Sequence, residues 1–120
     1  MSPEKKTVRR RTAWVTSELY YWHDTLNWCG ILEPTLSIQP GQHFENPETK
    51  RRLNGLVEAT GLAPLLHPYR PEPASEDFLN VIHPQAHLEH LKQVCASGGG
   101  DAGELTPAGL ASYEIARLAV

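Results

Sequence analysis

The sequence predicts an α/β domain. Three observations carry that expectation: a β-rich run at residues 12–17, at least three segments with helix start and stop signals, and the alternation of strand-like with helical runs. In the first run (TAWVTS), Trp14 and Thr16 fall on one face and Ala13 and Val15 on the other. Residues 19–28 are aromatic but show no period of 2 or 3.6, and read as a structured loop. Residues 31–43 contain Pro34, Pro40 and Gly41 and continue that loop, a length usual for functional segments.

The first clear helix begins at Asn46, with Pro47 in its first position. Leu53, Leu56, Val57 and Thr60 make its apolar face, while Arg51, Asn54 and Glu58 face water. Glu48 is spaced to pair with Arg52, Gly55 to permit close packing against a neighbour, and Gly61 to close the helix. A short second strand is expected within residues 62–69, before the break at Pro68. Ser75 caps a short helix over residues 76–82, and Pro84 opens another reaching Ala96, with Leu88, Leu91 and Cys95 as its buried stripe and Gly98 as its end.

A last helix is expected from Thr106 as N-cap and Pro107 as first residue. Its apolar residues, Leu110, Tyr113, Ile115, Leu118 and Val120, spread around it, with only Glu114 and Arg117 charged. Such a helix belongs inside a larger protein, so residues 12–120 are expected to form an incomplete domain cut within that helix. Two short strands alone also make a poor parallel sheet. An exposed patch at Leu110, Ile115 and Leu118 would favour self-association.

Composition narrows the function classes. The 120 residues carry a net charge of −3, which gives no reason to expect nucleic acid as partner. Lys5, Lys6, Arg9, Arg10 and Arg11 form a basic stretch read as a mobile tail over residues 1–11. There is no secretory h-region and no run long enough to cross a membrane, and Cys29 and Cys95 form no CxxC, so a reduced, cytoplasmic protein is expected.

Three constellations could carry chemistry. His83, His87 and His90 fall on one side of a helix and could supply a zinc ion with nitrogens, Glu89 or Asp77 adding an oxygen; as a small non-enzymatic module, the chain would bind a metal or partner there. His23 and Asp24 could form a general base with its orienting carboxylate, although no motif places a nucleophile beside them. The loop at residues 97–104 is glycine-rich but lacks a following Lys-Ser/Thr, and Asp101 and Glu104 would repel phosphate. These acids suit an amide or a cation.

Four stretches occur in order: residues 14–25 (WVTSELYYWHDT), 45–61 (ENPETKRRLNGLVEATG), 81–92 (VIHPQAHLEHLK) and 98–119 (GGGDAGELTPAGLASYEIARLA). Together they resemble the N-terminal part of the class II histone deacetylase-like amidohydrolases, relatives of the acetylpolyamine amidohydrolases. The resemblance implies an arginase/deacetylase-like α/β fold with a central parallel sheet. It also implies zinc-dependent hydrolysis of acetyl-lysine or acetyl-amine substrates, with zinc polarising the acetyl carbonyl and its attacking water.

The family's Gly-His-His, Asp-x-His and Gly-Gly-Tyr motifs are not in this sequence, so the resemblance assigns no catalytic or metal-binding residue here. What it assigns is the pocket rim. Residues 23–28, beginning with His23 and Asp24, resemble the first rim loop, with Leu26-Asn27 standing where the family pattern has Gly-His. Asp101 and Glu104 lie in what resembles the second rim loop, where an acid accepts hydrogen bonds from the substrate backbone. The expectation is a chain that supplies fold and rim, is inactive by itself and holds no zinc.

Overall fold

The computed structural model describes residues 11–120. Of the expected basic tail, only Arg11 falls among them, and it is exposed. Strand β1 (Ala13–Val15) pairs in parallel with β2 (His67–Tyr69), and the His67 amide donates to the Thr12 carbonyl at 2.9 Å. Trp14 and Thr16 are half-buried while Ala13 and Val15 are exposed, as the period of 2 requires. Pro68 lies inside β2 rather than ending it. Because His67 donates toward β1, the nitrogen of Pro68 points to the opposite, open edge, where a missing N–H costs no ladder bond.

The aromatic stretch is more ordered than its lack of period suggested. Glu18–Trp22 forms a 3-10 helix, and the Ser17 hydroxyl at its N-terminus accepts the Leu19 amide at 3.3 Å. Helix α1 (Glu48–Ala59) follows the long loop. Asn46 Oδ1 accepts the Glu48 amide, so Asn46 supplies the start and Pro47 sits at the cap position. Gly61 closes the helix at φ +73, with Leu62 N donating to Val57 O at 3.1 Å.

The inward face of α1 differs from the expected one. Val57 is buried, but Leu53 and Leu56 are exposed, while Asn54 accepts the indole N–H of Trp14 at 3.2 Å. Arg51 pairs with Glu18 at 3.0 Å and with Glu48 at 3.3 Å, so Glu48 has Arg51 rather than Arg52 as partner. Among the described residues, nothing lies within 4 Å of where a Cβ on Gly55 would stand, so the expected close packing is not found there. Periodicity finds the apolar stripe, but polar side chains that answer Trp14 and Glu18 decide which side faces the protein.

Helix α2 (Glu76–Leu79) is capped by Ser75, whose hydroxyl accepts the Phe78 amide at 3.2 Å. Helix α3 (Gln85–Ala96) starts after Pro84 and buries Leu88 and Cys95, with Leu91 half-buried between them. Gly98 and Gly99, at φ +103 and +104, turn the chain into β3 (Gly100–Asp101), antiparallel to β4 (Pro107–Ala108).

Thr106-Pro107 therefore opens a strand, not a helix. Thr106 is tied by its amide to Asp101 and by its carbonyl to the Ala102 amide, which draws Pro107 into the hairpin. Helix α4 begins six residues after Thr106, at Ser112–Ala119, with Ala111 at its N-cap. Tyr113 from α4 joins Cys95 and Ala108 in the core, with Leu91, Val94 and Ala102 packed around them. Leu110 is exposed, whereas Ile115 and Leu118 are half-buried and the Leu118 carbonyl accepts the Tyr20 hydroxyl at 3.0 Å. Of the expected patch, only Leu110, just before α4, is exposed.

The core is anchored by a polar cluster. Tyr113 donates to Glu76 at 2.9 Å, and Lys92 bridges Glu76 at 2.6 Å and Glu89 at 2.9 Å. Lys92 first, then the Tyr113 hydroxyl, holds the Glu76 carboxyl below its ordinary value. Arg117 donates to the Ala74 carbonyl at 2.9 Å, and the Ala74 amide returns a bond to Arg117 O at 2.8 Å. These ties bind α4 to α2 and α3 beneath the hairpin.

Candidate functional site

Two loops meet above this core, and each is folded by an aspartate that accepts its own backbone amides. In the first loop, Asp24 accepts the Leu26 amide at 2.8 Å, and Leu26 and Asn27 take φ +59 and +57. In the second, Asp101 accepts Gly103 and Thr106 at 2.9 Å and Leu105 at 3.2 Å, while Glu104 and Leu105 take φ +52 and +63. The amides, Gly103 foremost, hold the Asp101 carboxyl below the usual aspartate value. Leu26 stands where the family pattern has glycine, which enters the left-handed region without strain; for leucine the cost is roughly 1–2 kcal/mol.

Tertiary contacts lock the loops together. A Cβ on Gly109 would meet the Asp24 Cβ at 2.7 Å, and one on Gly99 would meet the Ala108 carbonyl oxygen at 2.7 Å and Leu26 Cδ2 at 3.0 Å. His23 Nδ1 lies 2.8 Å from the Ser112 hydroxyl, which also accepts the Gly109 amide at 2.9 Å. One buried hydroxyl thus holds the start of α4, the end of the hairpin and the first loop. Burial pushes His23 below the ordinary imidazole value; Asp24 opposes this and His43 adds to it.

Two cavities along the hairpin share His23. One, of about 410 Å³, is walled by Tyr20, Leu91, Ala108, Ser112 and Ile115, with His87 at its side. The other, of about 450 Å³, is shared by His23, Thr25, His43, Glu45, Glu104 and Thr106. Of the four expected rim residues, His23 and Glu104 share this second cavity. Asp24 faces a third recess with Asn46 and Glu48, which His23 and Thr25 also line, and Asp101 turns inward to its own loop amides.

Two residues of this site escaped sequence reasoning. His43 sits in a proline-containing loop with no period, where only its place just before the ENPE stretch singles it out. Ser112 was hidden by the misplaced helix start, since mid-helix serine has no evident role. It also supplies the hydroxyl partner for His23 that no motif had suggested.

The histidine trio is only partly assembled. The His83 and His87 rings stack at 5.3 Å with a 30° interplanar angle, and Glu89 is occupied by Lys92 and Gln85. Among the described residues, no group of three His, Cys, Asp or Glu side chains is placed to hold a metal ion. The described residues do not fit a zinc centre.

Parallel strands backed by helices, with a loop following the C-terminal end of β1 over a cavity, define an α/β protein whose candidate site lies in its loops. No protein-family model matches the chain. It is 40% identical over 117 residues to the histone deacetylase-like amidohydrolase of Pseudomonas aeruginosa PAO1, a match covering 92% of this chain and 30% of that protein. A crystal structure of the HDA15 HD domain superimposes with a TM-score of 0.73 at 22% identity, over 92% of this chain and 29% of the other. The chain therefore has the fold of part of that HD domain and is similar in sequence to part of a histone deacetylase-like amidohydrolase. It spans about a third of the length of the relatives it matches.

Proposed function

We propose that this chain is the fold-bearing, rim-forming segment of a zinc-dependent amidohydrolase that removes acetyl groups from acetyl-lysine or acetyl-amine substrates in the cytosol. It walls the acyl pocket, and other parts of the whole protein supply the zinc and the catalytic groups. The observation that carries this reading is the convergence of both rim loops on His23: a ligand crossing the rim meets His23 from one loop and Glu104 from the other. The relation to an amidohydrolase supports the reaction class. Free Cys29 and Cys95 suit a reducing compartment.

The test is a chimera in which this chain replaces the matching 117 residues of the Pseudomonas relative. Hydrolysis of an acetyl-lysine amide that is lost on chelation and restored by zinc is the expected result. A chimera that folds, takes up zinc and leaves every acetyl-lysine and acetyl-amine substrate intact would overturn the reading. The chain by itself is expected to leave those substrates untouched.

A further inference from the structure

His23 lines all three cavities around the loops: one with Ser112, one with Asp24 and one with Glu104. Its position therefore decides how far each of them is closed. What holds it is the Ser112 hydroxyl, 2.8 Å from its Nδ1. Ser112 is 5% exposed, and its oxygen already accepts the Gly109 amide at 2.9 Å. Among the described residues the hydroxyl has no third partner, so its hydrogen goes to His23 Nδ1. The neutral ring thus carries its proton on Nε2.

This bond holds the first loop against strain. Leu26 sits at φ +59, a region that leucine keeps only where its surroundings enforce it, and Asn27 follows at +57. Within the loop, Asp24 accepts the Leu26 amide; from outside, the Gly41 amide donates to the Asn27 carbonyl at 2.9 Å.

A proton on Nδ1 undoes the arrangement. The nitrogen turns from acceptor to donor, and the Ser112 hydrogen is left buried with nothing to accept it. Ser112 cannot follow the ring, because the Gly109 amide and the start of α4 fix it. The acids around His23 are Asp24 in its own loop, Glu45 and Glu48 at the start of α1, and Glu104 from the hairpin. The imidazoles are His43 and His87, while Tyr20 and Tyr21 stay neutral well above pH 7. Burial disfavours the imidazolium most, Asp24 partly offsets this and His43 adds to it, so the ring is neutral at pH 7.

We propose that the His23–Ser112 pair is a proton-sensitive latch: the neutral ring holds the first loop to the start of α4, and the imidazolium releases the loop and opens the cavities it walls. The loop is fully held above the ordinary imidazole value of 6.5 and let go as pH falls through the lowered folded value. The latch lies within this chain and does not depend on which reaction the whole protein performs.

Amide exchange and histidine-selective ¹⁵N NMR on the full chain test it. The Gly41 amide reports on the loop from outside. Its protection factor should fall roughly five- to tenfold between about pH 7 and about pH 4.5, the worth of one buried hydrogen bond. That of the Ala102 amide, bonded to Thr106 O within the hairpin, should stay. The fall should follow the titration of the His23 ring. His23→Asn keeps an acceptor near the Nδ1 position but takes up no proton, so Gly41 should stay protected in acid. Ser112→Ala should lower Gly41 protection already at neutral pH and flatten the step.

A Gly41 protection factor that does not change across this range in the wild-type chain would overturn the proposal, and that readout needs no variant to fold. So would a step that persists in His23→Asn, or one that follows the His43 ring instead.

Discussion

The two loops that meet at His23 reach the same geometry by different routes. Both contain an aspartate that accepts backbone amides and a pair of consecutive residues at positive φ. The second loop is closed by its own sequence: Asp101 accepts three amides within five residues, and β3 and β4 pair at its base. The first loop has one such bond, and its shape is completed from outside. Ser112 holds His23, Gly41 donates to the Asn27 carbonyl, and Gln42 accepts the Gly30 amide. One loop is a local object and the other a tertiary one, so disturbing the second should move the first, and the reverse should not hold.

Glycine substitutions break the comparison most sharply. Gly99→Ala puts a methyl group 2.7 Å from the Ala108 carbonyl oxygen at a position with φ +104. It should cost about 2–4 kcal/mol in urea unfolding and disrupt both loops. Gly109→Ala presses on Asp24 at 2.7 Å and should cost about 1–3 kcal/mol, displacing the first loop while the hairpin keeps its amide signals.

Ser112→Ala comes next. It removes the partner of His23 and of the Gly109 amide, an expected loss of about 1–3 kcal/mol. The histidine tautomer should become mixed by ¹⁵N NMR, while the Asp101-bonded amides stay protected from exchange.

Acid separates the loops without any mutation. The folded His23 value is lowered by burial, so its stabilising contribution is full above the unfolded value near 6.5 and fades as pH falls through the folded value. The Asp101 value is also lowered, by accepted amides, and its contribution is full above the unfolded value near 3.9 and is lost on further acidification through the folded value. Amide exchange followed from pH 7 to pH 3 should therefore show the first loop opening in mild acid and the second only in strong acid. Simultaneous opening would show that the second loop is not self-contained.

The smallest effect is a control outside both loops. Gly55→Ala meets open space in the middle of α1 and should stabilise the chain by about 0.5–1 kcal/mol, with loop signals unchanged. A loss of stability would mean that something packs on this face after all.

Helices were legible where capping chemistry sat beside the apolar period. Ser75, Pro84, Gly61 and Gly98 all mark ends that the structure keeps. Thr106-Pro107 misled because its local signal is as good as theirs, and a contact from Asp101 overrode it. The candidate site was half legible. His23 and Glu104 were found through the family pattern, but nothing local could tell that Asp24 and Asp101 bond their own backbones while His43 stands in the cavity wall.

By itself, the sequence determined the α/β class, three of the four α-helices among the described residues and the two loops that meet at His23, because caps, turns and periodicity act over a few residues. The tertiary structure alone decided which face of α1 turns inward, where α4 begins and which side chains share a cavity. Those choices depend on partners far along the chain, such as Trp14 with Asn54 and His23 with Ser112. A hydrogen bond across 40 or 89 positions leaves no period in the sequence to read.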